Sequence, residues 1–244
     1  LTSIELNCDL GESYGSYKMG NDQAIIPFVD SVNIACGFHA GDYRTMAETV
    51  QLAKQHHVQI GAHPGFPDLQ GFGRRKMDMN PDDVYDLMLY QIGALNAFAQ
   101  SQDVKLHHVK PHGALYNMAC KQMELAEAIV QAVYDFDKQI ILYGLANSYL
   151  TRAGEKASLT VAHEVFADRT YQDDGTLTPR SQPNAVVHDS DQALKQVHDM
   201  VTKGKVKTAS GNIVSLRADT ICVHGDTKEA VTFAKRIREM IDTI

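Results

Sequence analysis

Short apolar runs recur along this chain with helix-period segments between them, and six of the seven end at an ionisable group beside glycine, proline or another ionisable group. The runs fall at residues 4–8, 32–36, 58–62, 106–110, 139–143, 160–164 and 220–224, and the helical segments at 44–55, 81–101, 124–136, 148–153, 191–203 and 228–243. This alternation argues for parallel strands joined by crossover helices, which place the C-terminal ends of all strands on one face. Asn80-Pro81 reads as a helix start, with a capping side chain followed by a residue that lacks the N–H a first turn would leave unpaired. Ser210-Gly211-Asn212, between two short alternating runs at 206–216, reads as an inserted β-hairpin. Seven strands in an α/β chain either close into a TIM-like barrel or stay open as a doubly wound sheet. The barrel is preferred, because neither G-x-G-x-x-G nor G-x-x-x-x-G-K-[ST] follows any early strand.

A chain of 244 residues lies within the range that such barrels fill as one domain, so a single domain over 1–244 is expected. With 44% hydrophobic and 22% charged residues it can bury a large core. A formal charge of −7 and the lack of a Lys/Arg run argue against a nucleic-acid partner. No apolar stretch approaches the roughly 20 residues needed to span a bilayer, and no leader pattern opens the sequence, so no membrane contact and a cytoplasmic location are expected. Cys8, Cys36, Cys120 and Cys222 show no CxxC spacing and read as reduced core residues. The long polar connections at 64–76 and 166–183 read as functional loops.

Since the active site of a parallel barrel lies at the C-terminal strand ends, those positions are read together. They carry Asp9 and Glu12, His39 and Asp42, His63, Lys110 and His112, Glu164, and His224 and Asp226. His56, His57, His188 and His198 lie on helices or loops and are expected to be solvated. His39, His63, His112 and His224 differ, because each follows an apolar strand and is flanked by Gly or Pro that keeps bulk away from a ligand. Two chemistries suit such a ring. Asp9, His39 and His63 could hold a catalytic divalent metal with an open position for water. Alternatively, neutral histidines and carboxylates act without metal as general acids and bases, the slightly preferred reading. Among the cations, Lys110 at an apolar strand end needs an anion or a carboxylate partner such as Glu164. Arg74, Arg169 and Arg180 sit in loops that reach the same face, where a guanidinium fork matches carboxylate or phosphate oxygens.

Seven motifs in order then carry a resemblance. They are Asn7-Cys8-Asp9-Leu10-Gly11-Glu12, residues 33–42 (NIACGFHAGD), Gly61-Ala62-His63-Pro64 with Gly71-Phe72-Gly73-Arg74, residues 109–117 (VKPHGALYN), residues 164–169 (EVFADR), Pro179-Arg180 and Val223-His224-Gly225-Asp226. Together, over about residues 4 to 240, they closely resemble the LamB/YcsF family, the A component of bacterial ATP-hydrolysing 5-oxoprolinase. Cys8 stands where many relatives carry alanine, a change expected to affect packing only. The resemblance implies a seven-stranded barrel of the glycoside hydrolase/deacetylase type. It implies ATP, with Mg²⁺, as co-substrate, partner subunits B and C, and cleavage of 5-oxo-L-proline to L-glutamate. It implies Asp9, His39, Asp42, His63, His112, Glu164 and His224 as catalytic residues, and Glu12, Lys110, Arg169, Arg180 and Asp226 as binders of substrate or phosphate. A stand-alone metal-dependent deacetylase or amidohydrolase, and a non-catalytic component that delivers substrate, are the competing readings.

Overall fold

The structure is a computed structural model and describes residues 4–224 and 230–244. Among the described residues nine strands form: β1 (Glu5–Leu10), β2 (Ser31–Ala35), β3 (Gln59–His63), β4 (His108–Val109), β5 (Ile141–Leu145), β6 (Val161–Phe166), β7 (Lys205–Lys207), β8 (Ile213–Ser215) and β9 (Thr220–His224). The helices are α1 (Asp22–Ile25), α2 (Tyr43–Gln55), α3 (Pro81–Ser101), α4 (Gly113–Ala119), α5 (Met123–Asp137), α6 (Tyr149–Lys156), α7 (Ser190–Lys203) and α8 (Ala230–Ile241).

β1 through β6 and β9 pair in parallel in that order and close into a barrel, because β9 bonds to both β6 and β1. The barrel therefore stands over the open sheet. β7 and β8 pair antiparallel as the expected hairpin. Gly204, in the left-handed conformation with φ of 60°, ends α7 and turns the chain into that hairpin. The helices lie outside: α2 packs on β2 and β3, α3 on β3 and along α5, α6 on β5 and β6, and α8 on β9. Asn80 caps α3 through the Asp83 amide, as its sequence predicts. Two helices, α1 and α4, lie in segments that the hydrophobic period does not mark. None of the described helices is long and apolar enough to cross a membrane.

The barrel interior is polar. Along β1, Leu6, Cys8 and Leu10 enter the apolar core, while the alternate residues Asn7 and Asp9 bond to partners across the lumen. Asn7 donates to Thr220 Oγ1 (2.8 Å), and Asn33 donates to Asn7 Oδ1 and Asp9 Oδ1 (both 2.8 Å). His108 Nε2 bonds to Asn33 Oδ1 (2.6 Å), and its ring stacks on Tyr143 at 4.0 Å. Gly61 lies beside His108 in register, and any Cβ there would overlap the ring, so this strand position has to be glycine. The lower barrel is thus filled by mutually satisfied amide, hydroxyl and imidazole groups, which support the site above them.

Candidate active site

The floor of the site is an ion cluster. Lys110, 2% exposed, follows β4 and sets Nζ 2.9 Å from Asp9 Oδ1 and 2.8 Å from Glu164 Oε1. The same ammonium donates to Asn7 Oδ1 (3.3 Å) and Cys222 Sγ (3.1 Å). Tyr116, from α4, donates to Glu164 Oε2 at 2.7 Å. Burial alone would lower the Lys110 pKa, yet the charges facing it, Asp9 first, hold the ammonium well above its ordinary range. Burial likewise works to raise the Asp9 pKa, and His63 and Lys110 outweigh it, so Asp9 stays ionised well below the usual carboxylate range. Lys110 finds both an expected partner, Glu164, and a second one, Asp9. The cluster is closed on itself, so Lys110 reaches a ligand only by sharing its carboxylates.

Beside the floor stands a bank of three histidines. His63 Nδ1 donates to the Lys110 carbonyl (2.7 Å), and its Nε2 lies 3.4 Å from Asp9 Oδ2. His112, at the head of α4, donates Nε2–H to the Phe72 carbonyl (2.8 Å) and points Nδ1 at His63 Nε2, 3.0 Å away. His39 stacks face to face on His112, with centroids 3.6 Å apart and planes 3° from parallel. Its Nε2 is 3.7 Å from Glu12 Oε1, and neither of its ring nitrogens has a hydrogen-bond partner although the ring is buried. Burial is the main cause that pushes His39 and His112 well below the ordinary histidine range, so both rings are neutral. The 64–76 connection braces the bank. Phe72 holds a left-handed φ of 55° that aims its carbonyl at His112, and Asp68 receives the Gly71 amide (2.9 Å) and Arg75 Nε (2.9 Å).

At the mouth, His224 donates Nδ1–H to Asp168 Oδ2 (2.8 Å) and accepts from Arg180 at Nε2 (3.2 Å). Burial would raise the Asp168 pKa, but the charge and hydrogen bond of His224 bring it below the ordinary value. A cavity of about 510 Å³ is lined by Asp9, Glu12, His63, Lys110, His112, Tyr116 and His224 and covered by Arg74, Lys76 and residues 176–181, while His39 and Glu164 are buried behind that lining. That volume suits a small polar ligand. Both long connections therefore reach the site, and the second is ordered by short bridges, Arg169 with Val186 and Tyr171 with Leu177.

Not every expected residue arrives. Asp42 caps α2 through Thr45 N (2.8 Å) and holds Gly15 N (2.7 Å), so both of its oxygens serve backbone outside the cavity. Arg169 lines the cavity but spends Nε on the Ala185 carbonyl (3.1 Å) and an Nη on that of Thr178 (2.6 Å), and burial lowers its pKa to about 10. Its first task is to shape its own loop. Asp226 lies outside the described residues. The metal set also shifts: Glu12, His39, His63 and His112 each bring a ligand atom within 4.8 Å of the others, while Asp9 groups with Cys222 and His224.

The LamB/YcsF family profile fits residues 4–243 of this chain. This chain belongs to the LamB/YcsF family. It is 58% identical over 241 residues to the 5-oxoprolinase A subunit of Brevibacillus brevis, covering 99% of this chain and 95% of that protein. The crystal structure of a lactam utilization protein from Thermus thermophilus superposes with a TM-score of 0.92 at 46% identity, covering 99% of this chain and 96% of that one. A β-1,4-mannanase shares the barrel at a TM-score of 0.54 and 11% identity, over 100% of this chain and 98% of that one, which speaks to fold alone.

In this LamB/YcsF chain, reasoning from strand ends misses Asn7, Asn33, Tyr116 and Asp168, each of which holds a site residue. Asn7 and Asn33 had a readable signal, polar residues at alternate positions within apolar strands. Tyr116 had none, because its role depends on a helix bringing it to a different strand. The solvated histidines and buried thiols match expectation: His56, His57, His188 and His198 lie outside the buried core, and all four cysteines are free and buried.

Proposed function

We propose that this chain is the A subunit of an ATP-dependent 5-oxoprolinase, which opens 5-oxo-L-proline to L-glutamate together with subunits B and C. The observation that carries the reading is that a full-length likeness to the 5-oxoprolinase A subunit falls on a chain whose strand-end residues line one cavity. Ring opening needs an energy source, because the amine and acyl carbon of a five-membered lactam stay tethered. Tethered partners reach effective molarities of roughly 10⁵ to 10⁸ M, which favours re-closure over hydrolysis. Transfer of the ATP γ-phosphoryl group to the lactam oxygen offsets this. Water then adds to the activated ring carbon and gives up a proton, the C–N bond breaks as the nitrogen takes a proton, and a second water hydrolyses the resulting acyl phosphate to glutamate and inorganic phosphate.

The residues divide these tasks by their environment. His224, oriented by Asp168 and open to the cavity, gives a proton to the departing nitrogen. That role requires Arg180 to leave His224 Nε2 for the anion of the substrate; His112 is less suited because its ring is buried and its Nε2–H is held by the Phe72 backbone carbonyl. Asp9, held ionised, orients water and steadies positive charge on His63. Arg74 and Arg180 at the rim take phosphate or substrate carboxylate. ATP reaches this rim with Mg²⁺ at the face shared with the partner subunits, in the cytoplasm.

The test is glutamate and phosphate release from 5-oxoproline and ATP, measured for this chain alone and with its B and C partners. Equal yields of both products only in the full assembly are expected. Amide hydrolysis by the isolated chain without ATP would replace this reading with a stand-alone amidohydrolase.

A further inference from the structure

The histidine bank leaves two lone pairs facing each other. A carbonyl oxygen only accepts, so His63 carries its proton on Nδ1, toward Lys110, and His112 carries its proton on Nε2, toward Phe72. When each ring carries only the proton its carbonyl requires, the nitrogens left over, His63 Nε2 and His112 Nδ1, lie 3.0 Å apart with no donor between them. Two lone pairs at that distance repel unless a positive species engages both. A single shared proton would satisfy this pair, but it would leave His39 as it stands, with both buried ring nitrogens unpartnered.

We infer that His63 Nε2, His112 Nδ1, His39 and Glu12 form a binding site for one first-row divalent cation of the zinc type. Metal–nitrogen bonds of about 2.0–2.1 Å place neighbouring ligand atoms roughly 3 to 3.5 Å apart. The 3.0 Å between His63 and His112 falls in that range, the 3.7 Å between His39 and Glu12 lies just beyond it, and all four ligand atoms lie within 4.8 Å of one another. Three imidazoles with one carboxylate suit zinc, cobalt or nickel, whereas magnesium prefers an all-oxygen shell. Backbone carbonyls behind His63 and His112 fix the tautomers and raise the basicity of the nitrogens that face the ion, an arrangement typical of ligating histidines. The loop is shaped for the same purpose. A Cβ on Gly65 would lie 2.7 Å from His39 Nδ1, and one on Gly73 2.6 Å from His39 Cβ, so neither position admits a side chain without moving the bank. Burial keeps His39 and His112 neutral and available as ligands.

What such an ion contributes rests on the lactam-opening reading: it would polarise a carbonyl oxygen or hold water beside Asp9. Its presence does not rest on that reading, and the test separates the two. The purified full chain is treated with chelator, exchanged into metal-free buffer and titrated with Co²⁺, following visible absorption and the thermal midpoint. One Co²⁺ per chain, a visible band from nitrogen ligation, an upward shift of the midpoint and displacement by Zn²⁺ are expected. His63→Gln and His112→Gln should each weaken Co²⁺ binding at least about 100-fold, while the exposed control His198→Gln leaves it unchanged. Absence of both band and shift in the wild-type chain at millimolar Co²⁺ and Zn²⁺ overturns the site, a result that needs no variant to fold. Undiminished binding in both folded Gln variants overturns it too. If the assembly, stripped of transition metal by chelation and then assayed with Mg²⁺ and ATP, still releases glutamate at the full rate, the ion has no part in turnover and the lactam reading survives. If metal binds but no assembly opens the lactam, that reading fails and the site remains.

Discussion

The floor and the histidine bank share one cavity and solve the problem of buried polarity in opposite ways. On the floor every charge has an ion-pair partner: Lys110 serves Asp9 and Glu164, whose Oε1 makes that contact without a hydrogen bond, and Tyr116 donates to the second Glu164 oxygen. In the bank, the outward nitrogens of His63 and His112 are anchored on carbonyls, while the inward ones meet each other and His39 has no hydrogen-bond partner. Natural interiors rarely leave buried polar groups unpaired, so a closed cluster reads as an anchor and an open one as a place for a ligand. Adjacent histidines are therefore not equivalent. His224, paired with Asp168 and Arg180, belongs with the floor in this respect, and His39 is its opposite.

The contrast can be broken most forcefully at Lys110. Lys110→Met leaves Asp9 and Glu164 buried without their cation and should cost about 3–5 kcal/mol in denaturant unfolding. A loss below about 1 kcal/mol would mean that the floor is not closed. Asp168→Asn tests the paired histidine and should lower ATP-dependent glutamate release by about 100-fold with little change in KM. The same variant bears on acid stability. A carboxyl whose folded pKa is depressed adds stability that is fully present above its unfolded value, about 3.9, and lost as pH falls through the folded one. Wild-type unfolding followed from pH 5 downward should therefore lose more stability than Asp168→Asn does, and parallel curves would argue against the ion pair. Gly65→Ala pushes a methyl against His39 and should destabilise by about 1–3 kcal/mol. It should also disturb the bank's ring signals in NMR while leaving those of Tyr116 in place. The smallest effect belongs to Asp42→Ala, about 1 kcal/mol for a lost helix cap, and its loss of turnover should fall well below that of Asp168→Asn.

Much of this was legible in advance because the βα alternation is strong and parallel topology collects strand ends on one face. Asp9, His63, Lys110, Glu164 and His224 could be placed together on that ground alone, and the Lys110–Glu164 pair followed from the cost of an unpaired buried ammonium. Asp42 marks the limit of that legibility. A carboxylate after a strand-end glycine is equally a catalytic group and an N-cap, and only the helix that starts at Tyr43 decides between them. Arg169 follows the same pattern, since loop closure claimed its donors for carbonyl oxygens at 178 and 185.

By itself, the sequence determined the parallel α/β class, the strand count, the hairpin and the face on which chemistry gathers, because these follow from period, turn residues and burial that each segment carries locally. Tertiary structure alone decided that the sheet closes through β9, that Asn33 and Tyr116 hold Asp9 and Glu164, and that His112 turns Nδ1 toward His63. The reason is that hydrogen-bond direction and tautomer depend on what lies across the barrel, between residues tens of positions apart, and no local pattern records which atom a partner will present.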